Sequence, residues 1–142
     1  MNRRRRTEII IQGDPIRGIA KTLSEPICEK YTCKKIIEPR YGLTMVKVRE
    51  SAKSSIFYIG EVLITEAKVE INQCVGIGIV MGMKKELAKQ LAIVDATYKA
   101  NLPETDSWDG LLIETEEFIR EEKTKRQAQL EETKVQFKTM DL

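Results

Sequence analysis

TEAKVEINQCVGIGIVMG, residues 65–82, decides the fold. Runs rich in β-branched residues flank Asn72-Gln73, and TEAKVEI alternates charged with apolar positions, the period of a half-buried strand. A parallel crossover needs about a dozen residues or more, so a two-residue connection forces the strands to turn back as an antiparallel hairpin. Within the second run, the period of two puts Val75, Ile77, Ile79 and Met81 on one face and Gly76, Gly78 and Val80 on the other. The two glycines form a flat trough, suited to the close approach of a helix.

Working outward, KKIIEP (34–39), GLTMVKV (42–48) and SIFYIGEVLITEAKVEI (55–71) have the same composition, and with CVGIGIVMG (74–82) they predict four strands. Gly60 marks a bulge or bend in the long third one. Glu50 to Ser54 is again too short for a crossover, which predicts an antiparallel meander. Strands come first and the main helices follow, so the fold class is α+β. Two short helices are expected ahead of the sheet, over Thr7 to Gln12 and Asp14 to Leu23, with Asp14 as N-cap and Pro15 in the first turn.

After the sheet, Leu87, Leu91, Val94 and Tyr98 recur at helical spacing over residues 84–99, and Asn101-Leu-Pro103 ends that helix. Trp108, Leu112, Thr115 and Ile119 start a second helical face that stops while the polar sequence REEKTKRQAQ continues. A helix over 107–132 reaches about 39 Å, whereas a compact domain of this length is only about 37 Å across. It must overhang its own domain or break. Beyond it, Val135, Phe137 and Thr139 alternate in ETKVQFKTMDL, which predicts an extended tail. Residues 1–132 are thus read as one α+β domain with a basic N-terminal segment, and 133–142 as an interaction tail. Such a tail can join the sheet edge of a partner, with Val135, Phe137 and Met140 filling pockets.

Composition narrows the chemistry. With no histidine in 142 residues, the commonest general base, the usual partner of Ser or Cys nucleophiles and the commonest metal ligand are all missing. Cys28, Cys33 and Cys74 are odd in number and form no C-x-x-C pair, so they fit a reducing compartment better than a disulfide framework or a zinc ribbon. No apolar run approaches the roughly 18 to 20 residues of a membrane span, and MNRRRR lacks the apolar region of a secretory leader. The expected location is the cytoplasm. Residues 1–40 hold ten basic and five acidic side chains and residues 101–142 six and eleven, so a net charge of +2 conceals ends of +5 and −5. One run, Arg3 to Arg6, is not the basic stripe with interleaved aromatics that nucleic acid requires. It reads as a solvated tail or a protein docking arm.

GIGIVMGMKK, residues 76–85, superficially suggests a nucleotide cradle. The third position of a dinucleotide fingerprint is Met81, hairpins exclude the βαβ unit, and no G-x-x-x-x-G-K followed by Ser or Thr is present. Lysines in a first helical turn oppose the helix dipole, so Gly82, Lys84 and Lys85 are the candidate anion or phosphate site. No residue stands out as catalytic or metal-binding.

Taken in order, GLTMVKVR (42–49), FYIGEVLIT (57–65), GIGIVMG (76–82), AIVDATY (92–98) and TKVQFKTM (133–140) resemble the PhnG family, small subunits of the bacterial carbon-phosphorus lyase system. The most specific parts are G-L-x-M-V, F-x-x-G-E, the D-A near the helix end and V-x-F-x-T-M. The family commonly shows a glycine-rich turn where this chain has ESAKSS, T-R where it has Thr65-Glu66, and G-R-D where it has Gly82-Met83-Lys84. The resemblance implies a core assembly with I, H and J subunits, two copies of each. It also implies an activity in which the adenine of ATP is exchanged for an alkylphosphonate, giving α-D-ribose 1-alkylphosphonate 5-triphosphate and adenine. On this reading ATP is a substrate of the complex, and the chain itself binds no cofactor and is an accessory subunit. The alternatives are a free-standing nucleotide- or phosphate-binding protein built around Lys84 and Lys85, and a homodimeric adaptor.

Overall fold

The computed structural model describes residues 2–49 and 56–140, with the side chains at 46, 48, 49, 56–59 and 135–140 outside the description. Seven elements follow one another: α1 (Arg3–Arg17), α2 (Ile19–Lys30), β1 (Lys34–Arg49), β2 (Ile56–Ile71), β3 (Cys74–Met81), α3 (Lys85–Lys99) and α4 (Thr105–Met140). The strands form one antiparallel sheet in the order β1-β2-β3. Asn72 (φ 49°) and Gln73 (φ 67°) both occupy the left-handed region, the mirror-image turn whose twist matches that of its two strands. The turn expected over Glu50 to Ser54 lies outside the described residues.

Three strands replace the expected four, because KKIIEP and GLTMVKV are continuous in β1. Pairing with β2 is irregular between Ile37 and Arg40, and the interval holds Pro39, which has no N–H to give a ladder. On an edge strand the pairing steps over the proline and resumes. The bulge expected at Gly60 is present: Val46 lies opposite Gly60 and Lys47 opposite Tyr58, leaving Ile59 as the extra residue.

The N-terminal helices also have different bounds from those expected. α1 runs through Asp14-Pro15 and ends at Gly18 (φ 60°, ψ 34°), whose N–H donates to the Asp14 carbonyl at 2.8 Å. A glycine in the left-handed region stops a helix more cleanly than a proline in its last turn. Asp14 still caps, but across the break: its Oδ1 accepts from the Ala20 N–H at 3.2 Å, at the start of α2.

All four helices contribute to one core, with the sheet on one side of it. Ile10, Leu23, Ile27, Val69, Ile71, Ile93 and Leu112 are essentially sealed from solvent. α3 lies on the glycine trough as the alternation predicts. A Cβ on Gly76 would come within 2.8 Å of the Ala96 Cα, and one on Gly78 within 2.7 Å of the Ala92 nitrogen, both atoms of the α3 backbone. Ala88, Ala92 and Ala96, one helical turn apart and fully buried, supply the complementary surface.

α4 overhangs and does not break. Its 36 residues span about 54 Å. Trp108, Leu112, Thr115 and Ile119 are buried, but beyond Ile119 the described side chains face solvent, apart from a half-buried Glu122. The extended tail expected over 133–142 is instead helical as far as Met140. Adding a residue to an existing helix avoids the cost of nucleation, and Glu, Lys and Gln among the last ten residues are good helix formers.

Candidate functional site

Gly82, Lys84 and Lys85 sit in the β3–α3 connection. Gly82 has φ 87°, and its carbonyl accepts from the Thr65 hydroxyl at 2.6 Å, while Thr65 Oγ1 accepts from the Lys84 N–H at 3.0 Å. The amide at the mouth of α3 is therefore already engaged inside the fold. The Lys85 ammonium lies 4.7 Å from the centroid of the Tyr41 ring, a cation–π position directed along the sheet. Both lysines are exposed.

The strongest electrostatic feature is one that local sequence patterns miss. Asp95, in the third turn of α3, keeps only 8% of its side chain exposed. Its Oδ2 accepts from Arg3 Nη2 at 2.8 Å and from the Ile77 N–H at 2.9 Å, with Lys99 Nζ at 3.4 Å. Oδ1 has Arg6 Nη2 at 4.0 Å, an ion-pair distance, and no hydrogen-bond donor among the described residues. Arg6 also covers the Tyr98 ring at 3.8 Å. Burial pushes the Tyr98 hydroxyl well above its ordinary range, and its hydrogen bond to Asp109 adds to the shift. On the next face of α1, Arg5 Nε donates to Glu116 on α4 at 2.8 Å, and this holds the Glu116 carboxyl below its usual range. The arginine run expected to be a solvated tail or docking arm is thus the first turn of α1, fastened to α3 and α4. A carboxylate enclosed by three cations and a backbone amide is an anchor for those elements, with no free face toward a reactant.

The surface left uncovered lies elsewhere. β3 stops at Met81, opposite Ile64, so from Leu43 and Leu63 outward β1 and β2 continue as a two-stranded arm. Past Gly42 it has seven residues of β1, about 23 Å. Tyr41, Leu43, Met45 and Leu63 share the side on which Thr65, Ala67 and Val69 meet α3, but α3 begins only at Lys85, whose side chain lies on Tyr41, and Leu43, Met45 and Leu63 beyond it stay exposed. Leu43 is 65% exposed and Met45 58%. Across the sheet, Ile79 and Met81 are 50% and 72% exposed. A two-stranded ribbon with large apolar groups in water is marginal alone, and contiguous exposed apolar surface is a mark of protein contact.

This arm and the outer half of α4 are the candidate interface. The expected partner residues Val135, Phe137 and Met140 fall in the last turns of α4, with side chains outside the description. Leu43, Met45 and Leu63 were not anticipated, because alternation alone gives a strand's two faces but not where the covering helix stops. Among the described residues no group of three or more potential ligands could hold a metal ion, and no helix is long and apolar enough to cross a membrane.

GLTMVKVR and FYIGEVLIT, two of the stretches that carry the family likeness, are the two strands of the arm. No curated protein matches the chain. The family described as phosphonate metabolism protein PhnG matches residues 1–141. The chain therefore belongs to the PhnG family of phosphonate metabolism proteins, subunits of the carbon-phosphorus lyase system.

Proposed function

We propose that this chain is an accessory subunit of the cytoplasmic transferase complex that exchanges the adenine of ATP for an alkylphosphonate, releasing α-D-ribose 1-alkylphosphonate 5-triphosphate and adenine. Its partners are the I, H and J subunits, with two copies of each chain in the assembly. Its contribution is to bind and position those partners; the reacting groups belong to them. The observation that carries this reading is the hairpin arm, where Leu43, Met45 and Leu63 stay exposed on the side that α3 covers lower down the sheet. The overhanging half of α4 supports the same conclusion, since its length exceeds anything its own domain can bury.

Co-expression with the I, H and J subunits, followed by mass measurement of the intact assembly and an adenine-release assay with and without this chain, tests the proposal. The expected result is a complex containing two copies, in which adenine release needs this chain although the chain alone releases none. Full adenine release by the other subunits without it would overturn the assignment.

A further inference from the structure

Two cysteines flank the passage from α2 into β1. Cys28 lies in the last turn of α2 and is exposed; Cys33 is half-buried. The Tyr31 N–H closes the helix on the Ile27 carbonyl at 2.8 Å, and Tyr31 then turns extended (φ −117°, ψ 154°). Cys33 follows two residues later, its thiol 3.9 Å from the Tyr31 carbonyl. Cys28 and Cys33 line the same surface depression, of about 470 Å³, with Lys89 of α3 on its wall. The turn between them is held in the middle: the Tyr31 hydroxyl donates to Glu104 at 3.1 Å and Lys30 Nζ at 3.0 Å. Burial, and then the neighbouring Cys28 thiol, push the Cys33 thiol up to about 12, with Lys89 opposing the shift.

We propose that Cys28 and Cys33 form a surface dithiol that closes to an intramolecular disulfide by exchange with a small disulfide of the glutathione class. Cys28, the accessible sulfur, attacks as thiolate, breaks the S–S bond of glutathione disulfide and expels one glutathione thiolate, which takes up the proton Cys28 lost. Cys33 then gives its proton to solvent and attacks the Cys28 sulfur of the mixed disulfide. The second glutathione leaves and is protonated in turn, so two protein thiols are oxidised and one disulfide is reduced to two thiols. Burial makes Cys33 the slower sulfur to ionise, and Lys89, the lesser influence, works in the opposite direction.

The test uses the reduced full chain in glutathione buffers of increasing disulfide fraction, quenched by alkylation, digested with trypsin and weighed. The expected product joins peptide 22–30 to peptide 31–34 with the loss of two hydrogens, at least tenfold in excess of glutathione adduct on Cys28. Cys33→Ser should convert that product into a lasting adduct on Cys28, and Cys28→Ser should slow modification at Cys33 at least tenfold. A persistent Cys28 adduct in the unaltered chain, pairing with Cys74, a link between two chains, or Cys33 reacting as fast without Cys28 would each overturn the proposal.

Discussion

β3 beneath α3 and the hairpin arm beyond it belong to one sheet but obey opposite rules. Beneath α3 the side chains are as small as chemistry permits, glycine against alanine, and the two backbones nearly touch. On the arm Leu43 and Met45 project into water, with no side chain among the described residues covering them. The first contact is complete within the molecule, so its residues answer to stability. The second is incomplete, so its residues answer to a partner.

The contrast can be broken first at the trough. Gly78→Val places a branched side chain on the backbone of α3, where nothing flexible can yield, and should cost about 3 kcal/mol or more in urea unfolding. A variant as stable as the parent chain would show that α3 does not sit on β3. Next is Asp95→Ala, which leaves Arg3, Arg6 and Lys99 without their shared counter-ion. Since Arg3 and Lys99 are themselves partly in water, the loss should be about 2 kcal/mol, below that of a fully buried pair. An unchanged urea midpoint would remove the anchoring role.

The arm should behave in the reverse way. Leu43→Asp with Met45→Asp is expected to shift stability by less than about 0.5 kcal/mol, while capture of the I subunit in co-expression falls at least tenfold. Equal capture would move the interface away from this face. A milder effect is expected from pH. Because burial raises the Cys33 thiol from 9.0 to about 12, the unfolded chain releases this proton first. This contribution to stability is whole below pH 9 and declines as pH rises toward 12, and Tyr98 adds to the decline in the same direction. Denaturant midpoints that stay level from pH 8 to 11 would contradict this. Smallest of all should be Arg40→Ala on the open face of the sheet, within about 0.5 kcal/mol despite a 2.7 Å bond to Glu66.

What the sequence disclosed followed from local rules. Two residues at Asn72-Gln73 cannot span a crossover, alternation sorted the β3 glycines onto one face, and polar residues after Ile119 meant a helix without cover. The failures were of two kinds. Pro39 looked like a strand end because its missing donor is local information, whereas its tolerance depends on lying at the sheet edge. Residues 133–140 alternate like a strand, yet their state is set by the helix that already precedes them. The Asp95 cluster joins positions 92 residues apart, which no periodicity reports. Two signs pointed to it nonetheless. Arg3 and Arg6 share a face if the run is helical, and AIVDAT places a single acid in an apolar stretch, where it must find a counter-charge.

The length of α4 has a mechanical consequence. Clamped near Trp108 and Leu112, flanked by α1 as far as Arg126 and free from Gln127 onward, it is a cantilever whose free part is about 21 Å long. Tilting that free part by about 10° would swing the tip by about 4 Å, the width of a methyl group and enough to dislodge one docked side chain from its pocket. Whatever grips the far end therefore senses the angle at which the near end is seated, and the Arg5–Glu116 bond ties that seat to α1.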